Sequence, residues 1–254
     1  MRLGAQFYSI RDRAATPEGI RESFATMKSI GYTIAQMSAI GPIEPERLRD
    51  ISDEYDMPIV CTHTNPDLLF SDTEKIINEH KIYKCDTVGI GGMPVKYRGT
   101  LEGIRAFIED YKEIAKKIED AGLKFAYHNH AFEFDKLDGV LPFELLIEDF
   151  ESLNFIVDVY WMKYAEVDYI EYIKRLGPKR TQNIHFKDMA SYPKGAICPC
   201  GAGVIDFAPL YDLCCELNIP NALVEQDNAP SSNDSFGEMK KSFDHLAPIF
   251  NKKR

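Results

Sequence analysis

The chain has 254 residues, 44% hydrophobic and 28% charged, with a formal net charge of −10. That is an ordinary globular composition. The acidity, with no Lys/Arg cluster beyond the tail Lys252-Lys253-Arg254, argues against a nucleic-acid surface. No apolar run approaches the ~20 residues of a membrane span, and the N-terminus lacks the apolar core of a signal peptide. The six cysteines are scattered and do not resemble a small secreted disulfide scaffold. These features predict a cytoplasmic protein with reduced thiols and no membrane partner.

In chain order, a strand is expected over Leu3–Ser9, followed by a helix near 17–30, where Pro17 after Thr16 suits a first helical turn. Gly31 stops it. A second strand, Ile34–Ser38, precedes a helix near 45–55 that opens on Pro45, and a third, Ile59–Thr64, precedes one near 72–84. There Ser71-Asp72-Thr73-Glu74 reads as a capping box. The next pairs are Thr87–Ile90 with 101–121, Phe125–His130 with 142–150, and Phe155–Asp158 with 168–176. Asn183–Lys187 with 206–217 and Ala222–Glu225 with 234–250 complete the series. Helices 101–121 and 206–217 carry apolar residues three and four apart, as a core-facing stripe requires.

Short apolar strands suit a parallel sheet covered by helices. Eight strand–helix pairs without a domain-sized insertion predict a closed (β/α)₈ TIM barrel spanning 1–254 as one domain. No G-x-G-x-x-G follows the first strand, which removes the main support for a dinucleotide fold.

In such a barrel, chemistry sits where strands end. The fifth strand runs into Tyr127-His128-Asn129-His130-Ala131-Phe132-Glu133-Phe134, and the sixth ends at Asp158. The seventh contains His185-Phe186-Lys187-Asp188, and the eighth ends in Glu225-Gln226-Asp227. Glu133, Asp158, His185 and Glu225 are separated by 25, 27 and 40 residues, about one βα unit for the first two gaps and a unit plus a long loop for the third. Three carboxylates and an imidazole form a hard, mostly oxygen donor set, suited to Mn²⁺, Mg²⁺ or Co²⁺, with Zn²⁺ also within its range. Taken singly, each residue has a plainer role as a helix cap or a satisfied core histidine. Spacing alone leaves the metal site and those plainer roles level.

The runs Y-H-N-H-A-F-E-F (127–134), D-V-Y-W (158–161), H-F-K-D (185–188) and V-E-Q-D (224–227) resemble the sugar phosphate isomerase/epimerase family, xylose-isomerase-like barrels related to D-tagatose 3-epimerase and inosose dehydratase. Gln6–Asp12 and Cys61–Thr64 are similar to family members too. The resemblance implies a divalent metal, Mn²⁺ first, on Glu133, Asp158, His185 and Glu225, with His130 as the alternative at the first position. It also implies proton transfer through an enediolate on a keto-sugar or sugar phosphate, with Glu133 and Glu225 as ligands and proton shuttles. His63, His128, His130 and Lys187 are expected to contact sugar oxygens, and Trp161 to wall the mouth. Gly201-Ala202-Gly203 departs from relatives that carry an acidic residue between the glycines, which leaves the substrate open.

The expected partner is a small sugar or sugar derivative, and a homo-oligomer is compatible with the sequence. Three rival readings stand beside isomerisation. A lyase would dehydrate a keto-inositol or cleave a 3-keto-glycoside at the same metal. A sugar-binding barrel without turnover would not need the carboxylate pair, and an abasic-site nuclease is disfavoured by net charge and by only six histidines. Cys198-Pro199-Cys200 is read as loop packing, since C-x-C is not the usual zinc spacing.

Overall fold

The apolar runs become eight parallel strands: β1 Arg2–Gln6, β2 Ile34–Ser38, β3 Ile59–His63, β4 Thr87–Ile90, β5 Lys124–His128, β6 Asn154–Asp158, β7 Thr181–Phe186 and β8 Asn221–Val224. The computed structural model describes residues 1–251, so the basic tail 252–254 lies outside the described residues. The strands hydrogen-bond in the order β3-β2-β1-β8-β7-β6-β5-β4. The remaining edges meet where Thr64 N–H donates to Gly89 O at 2.7 Å and Thr64 bridges Ile90. The result is a nearly closed, single-domain (β/α)₈ barrel.

Eight principal helices alternate with the strands: α1 Pro17–Ile30, α2 Pro45–Glu54, α3 Thr73–Ile82, α4 Leu101–Asp120, α5 Pro142–Asp149, α6 Tyr169–Arg180, α7 Phe207–Glu216 and α8 Ser235–Phe250. Their starts follow local chemistry. Thr16 accepts from Gly19 N–H ahead of Pro17, and Asp206 caps α7. At α3 the cap is Asp72, which accepts from Lys75 N–H, whereas the Ser71 hydroxyl donates to Leu68 O and closes a short helix, Pro66–Ser71. The cap therefore sits one residue later than the expected Ser71. A second short helix that periodicity does not reveal, Val159–Tyr164, begins on Asp158. Helix α6 breaks at Gly177, ahead of Pro178.

Most apolar side chains pack between strands and helices. The barrel interior holds two small clusters, Ile34–Val60–Leu223 and Cys61–Ala126–Ile156. Space inside is tight: a Cβ on Gly89 would lie 2.2 Å from Thr62 O and 2.8 Å from Ile156 Cδ1. Strand side chains alternate between faces. His128, two residues beyond Ala126, Asp158, two beyond Ile156, and Glu225, two beyond Leu223, therefore face the interior at the C-terminal mouth.

β1 stops at Gln6, three residues before the sequence suggested. The Gln6 side-chain carbonyl accepts the backbone N–H of Tyr8 and turns the chain into a short 3₁₀ segment, Phe7–Ile10. After β7 the chain forms a small antiparallel pair, Asp188–Met189 with Ile197–Cys198. Asp188 organises this loop: its buried carboxylate accepts from the N–H groups of Met189, Gly201, Gly203 and Ile205 at 2.8–3.1 Å. The amides of Gly201 and Gly203 are thus directed at Asp188 and not at an open phosphate cradle. Cys200 is buried with its thiol directed at Phe186 O, in keeping with loop packing. Among the described residues, no helix is long and apolar enough to cross a membrane.

Candidate metal centre

Four buried side chains converge at the mouth: His128, Asp158, His185 and Glu225, with one donor atom from each, all within 4.8 Å of one another. His185 Nδ1 lies 2.9 Å from Glu225 Oε2 and 3.6 Å from Asp158 Oδ2. His128 Nε2 lies 3.2 Å from Asp158 Oδ2 and 3.8 Å from Glu225 Oε2.

What surrounds these atoms fits a cation. His185 Nε2 bonds Gln36 Oε1 at 2.7 Å, and His128 Nδ1 lies 3.3 Å from Gly91 O. Both outer partners are acceptors, so each ring directs its other nitrogen at the cluster. Asp158 Oδ1 accepts Trp161 N–H at 3.0 Å, and Glu225 Oε1 accepts from Gln6 Nε2 at 2.6 Å, which leaves one oxygen of each pointing inward. Asn129 clamps the Asp158 backbone from both sides. Outer hydrogen bonds that set tautomer and orientation are what metal ligands require.

Lys187 completes the electrostatics. Its buried ammonium lies 3.2 Å from Glu225 Oε2, 3.5 Å from Asp158 Oδ2 and 2.7 Å from Asp227 Oδ1. Burial alone would raise the Asp158 and Glu225 carboxyls. Lys187 and the neighbouring imidazoles outweigh it and hold both below the ordinary range. Burial likewise pulls His185 down, yet Glu225 and Asp158 lift it to about 9.

Glu133 is not brought to this cluster; His128 stands in its place. Tyr127 faces the helix layer, where its ring packs edge-on against Phe107. Its hydroxyl donates to Glu133 Oε1, and Glu133 Oε2 accepts His130 N–H at 2.8 Å. The carboxylate therefore ties the loop after β5 to the outside of the barrel. Burial raises it to about 7, against the pull of the Tyr127 hydrogen bond.

His130, the alternative first ligand, is also outside the four. Its ring packs at 5.2 Å from Trp161, and burial, with His128 and Lys187 nearby, lowers it to about 3. His63 bonds Ser38 through Nδ1 and is held well below its ordinary range by burial and by His128 and His185. Both rings keep a buried nitrogen without a hydrogen-bond partner, Nε2 of His63 and Nδ1 of His130. His63, His128, His130, Lys187, Glu225 and Asp227 line a cavity of about 530 Å³. Trp161 stands behind it, with its ring 5.1 Å from Lys187 Nζ.

The sequence placed His128 beside the site but not among the four converging donors, and it gave no role to Gln6, Gln36 and Asn129. A signal existed for the glutamines, since each is a polar residue on the interior phase of a short apolar strand. Asp227, to which the sequence assigned no role, pairs with Lys187 at 2.7 Å.

The family described as the xylose isomerase-like TIM barrel matches residues 24–249. No curated protein matches the sequence. Among solved structures, a sugar phosphate isomerase/epimerase from Parabacteroides distasonis superposes with a TM-score of 0.80 at 19% identity, covering 98% of this chain and 99% of that one. An L-ribulose 3-epimerase gives 0.74 at 14% identity, over 98% and 94% of the two chains. A probable 3-DHS dehydratase from Bacillus anthracis gives 0.74 at 12%, over 100% of both. At these identities the structural likenesses speak for the fold alone.

Proposed function

This chain belongs to the xylose isomerase-like TIM barrel family, and we propose that it is a divalent-metal-dependent enzyme of the sugar isomerase/epimerase class, with the metal, Mn²⁺ first, held by His128, Asp158, His185 and Glu225. The observation that carries this reading is the directed donor set: four inward atoms, each on a side chain whose other polar atom is already bonded. A bound divalent cation supplies Lewis-acid polarisation of a carbonyl and its neighbouring hydroxyl.

The chain's own groups do the rest. Glu225 faces the cavity and is the proton carrier. Lys187 donates to substrate oxygens and balances the carboxylates. His63 and His130, both neutral, offer their unpartnered nitrogens to sugar hydroxyls. Epimerisation delivers a proton to the face opposite the one it left and so needs two bases, whereas aldose–ketose isomerisation needs one on one face. Of the two carboxylates in the donor set, Glu225 lines the cavity and Asp158 does not, so with Glu133 turned away one cavity-facing metal carboxylate remains as base, and isomerisation is the better fit within the class. The same observation favours a second reading, β-elimination from a keto-sugar by a lyase.

Incubation of the Mn²⁺-loaded protein with a keto- and aldo-sugar panel in D₂O tests this. Deuterium should enter one carbon, and the product separates isomerisation, epimerisation and elimination. Glu225→Gln, compared at equal metal content, should lower the rate by ~10²–10⁴-fold, the usual worth of general base catalysis. Absence of exchange with every sugar refutes the proposal.

A further inference from the structure

A second cavity of about 390 Å³ adjoins the first, sharing Ser38, Ala39, His63, Thr64 and Asn65 as its wall. It runs from the mouth between the β2 and β3 loops toward α2 and α3. Its sides are Met37, Ile43, Leu48, Ile76 and, at the lip, the exposed Leu68. The first chamber alone falls within the ~300–1,000 Å³ of small-molecule sites, so a monosaccharide does not need the second.

The polar groups of the two chambers differ. Around the first, His63 Nε2 and His130 Nδ1 are buried and unpartnered, which suits hydroxyl groups. In the second, the polar floor is already satisfied. The Thr62 hydroxyl bonds His80 Nε2 at 2.9 Å, His80 Nδ1–H donates to Ile76 O at 2.8 Å, and the Tyr83 hydroxyl lies 2.8 Å from Nδ1 and 3.3 Å from the lone-pair Nε2 of the same ring. Asn65 caps its own short helix, and Glu79 pairs with Lys75 at 3.9 Å. Apart from His63 on the shared wall, no buried side-chain atom lining this chamber lacks a partner among the described residues. A polyol placed there would lose hydration without gaining hydrogen bonds, whereas an apolar group gains by burial.

We propose that the substrate is a sugar bearing an apolar substituent, with the sugar over the four metal ligands and an aryl- or alkyl-type group in the second chamber. This rests on the sugar-enzyme reading above and narrows it to sugar conjugates. The leaving or spectator group is then read by Ile43, Leu48 and Leu68, apart from the chemistry.

The test is calorimetric titration of the Mn²⁺-loaded protein with methyl glycosides, phenyl glycosides and disaccharides of gluco-, galacto- and manno-pyranose in both anomers. For the best-bound sugar, the phenyl glycoside should bind at least about tenfold more tightly than the methyl one, from the apolar area buried, and the disaccharide no better than the methyl. Ile43→Phe, which fills the chamber from a half-buried loop position, should erase the phenyl gain and leave methyl affinity unchanged. That retained affinity also shows that the variant is folded. Equal phenyl and methyl affinities, a disaccharide that matches the phenyl glycoside, or a phenyl gain that survives Ile43→Phe overturns the inference and leaves the sugar reading standing. Failure of every glycoside to bind also overturns the inference, while the sugar reading is then decided by deuterium exchange with the free sugars.

Discussion

Acidification from pH 7 to pH 5 is expected to destabilise the fold through His80. The ring is buried inside α3. Its Nδ1–H donates to the Ile76 carbonyl, so Nε2 is the lone-pair nitrogen and accepts from the Thr62 hydroxyl. Burial holds the imidazolium down at about 4 against an ordinary 6.5, with the Ile76 bond pulling the other way. Between those values the unfolded chain carries a proton that the native ring refuses. The His80 contribution to stability therefore falls as pH drops through 6.5 and is fully lost below about 4. At ~1.36 kcal/mol per pH unit the full window is worth about 3 kcal/mol, of which about 2 kcal/mol is lost by pH 5. Urea unfolding at the two pH values, on the parent chain and on His80→Gln, isolates the contribution. The variant is less stable throughout, but its loss on acidification should be smaller by about 2 kcal/mol. NMR titration of labelled histidine should find one ring near 4. An equal acid loss in both proteins, or a His80 ring that titrates near 6.5, refutes the reasoning.

Other predictions concern the site. His128→Ala should abolish tight Mn²⁺ binding, whereas Glu133→Gln should leave its stoichiometry unchanged; calorimetry with metal analysis decides, and the reverse pattern would restore the original first ligand. Gln36→Leu removes the acceptor that orients His185 and should weaken Mn²⁺ affinity by ~10–100-fold with the fold intact by circular dichroism. Asp188→Asn replaces one of two acceptor oxygens with a donor facing backbone N–H groups, so melting should report a loss of about 1–3 kcal/mol.

The barrel was legible because its strands are short apolar runs, and burial on both faces demands such runs whatever the neighbours are. Asp158, His185 and Glu225 were legible for the same reason: a charged or imidazole side chain ending an apolar strand lies at the mouth. Helix starts were readable from local chemistry alone, as Thr16-Pro17 shows, although Asp72 and Ser71 both fit a cap and only the formed helix 66–71 decides between them. The first member of the donor set was different. Tyr127-His128-Asn129-His130 and Glu133 offer several donors within seven residues, and the choice depends on where β5 ends and which parity faces inward. Ala126 packing against Cys61 and Ile156 sets that parity, so His128 points in, Tyr127 points out, and Glu133 follows Tyr127 to the helix side. Cys61 and Ile156 belong to strands far away in the sequence. The roles of Gln6 and Gln36 likewise depend on the barrel bringing β1 and β2 within hydrogen-bond reach of Glu225 and His185. Local sequence determined which residues end the strands; closure of the barrel decided which of their atoms meet, because that depends on register and side-chain parity across strands that no short stretch of chain contains.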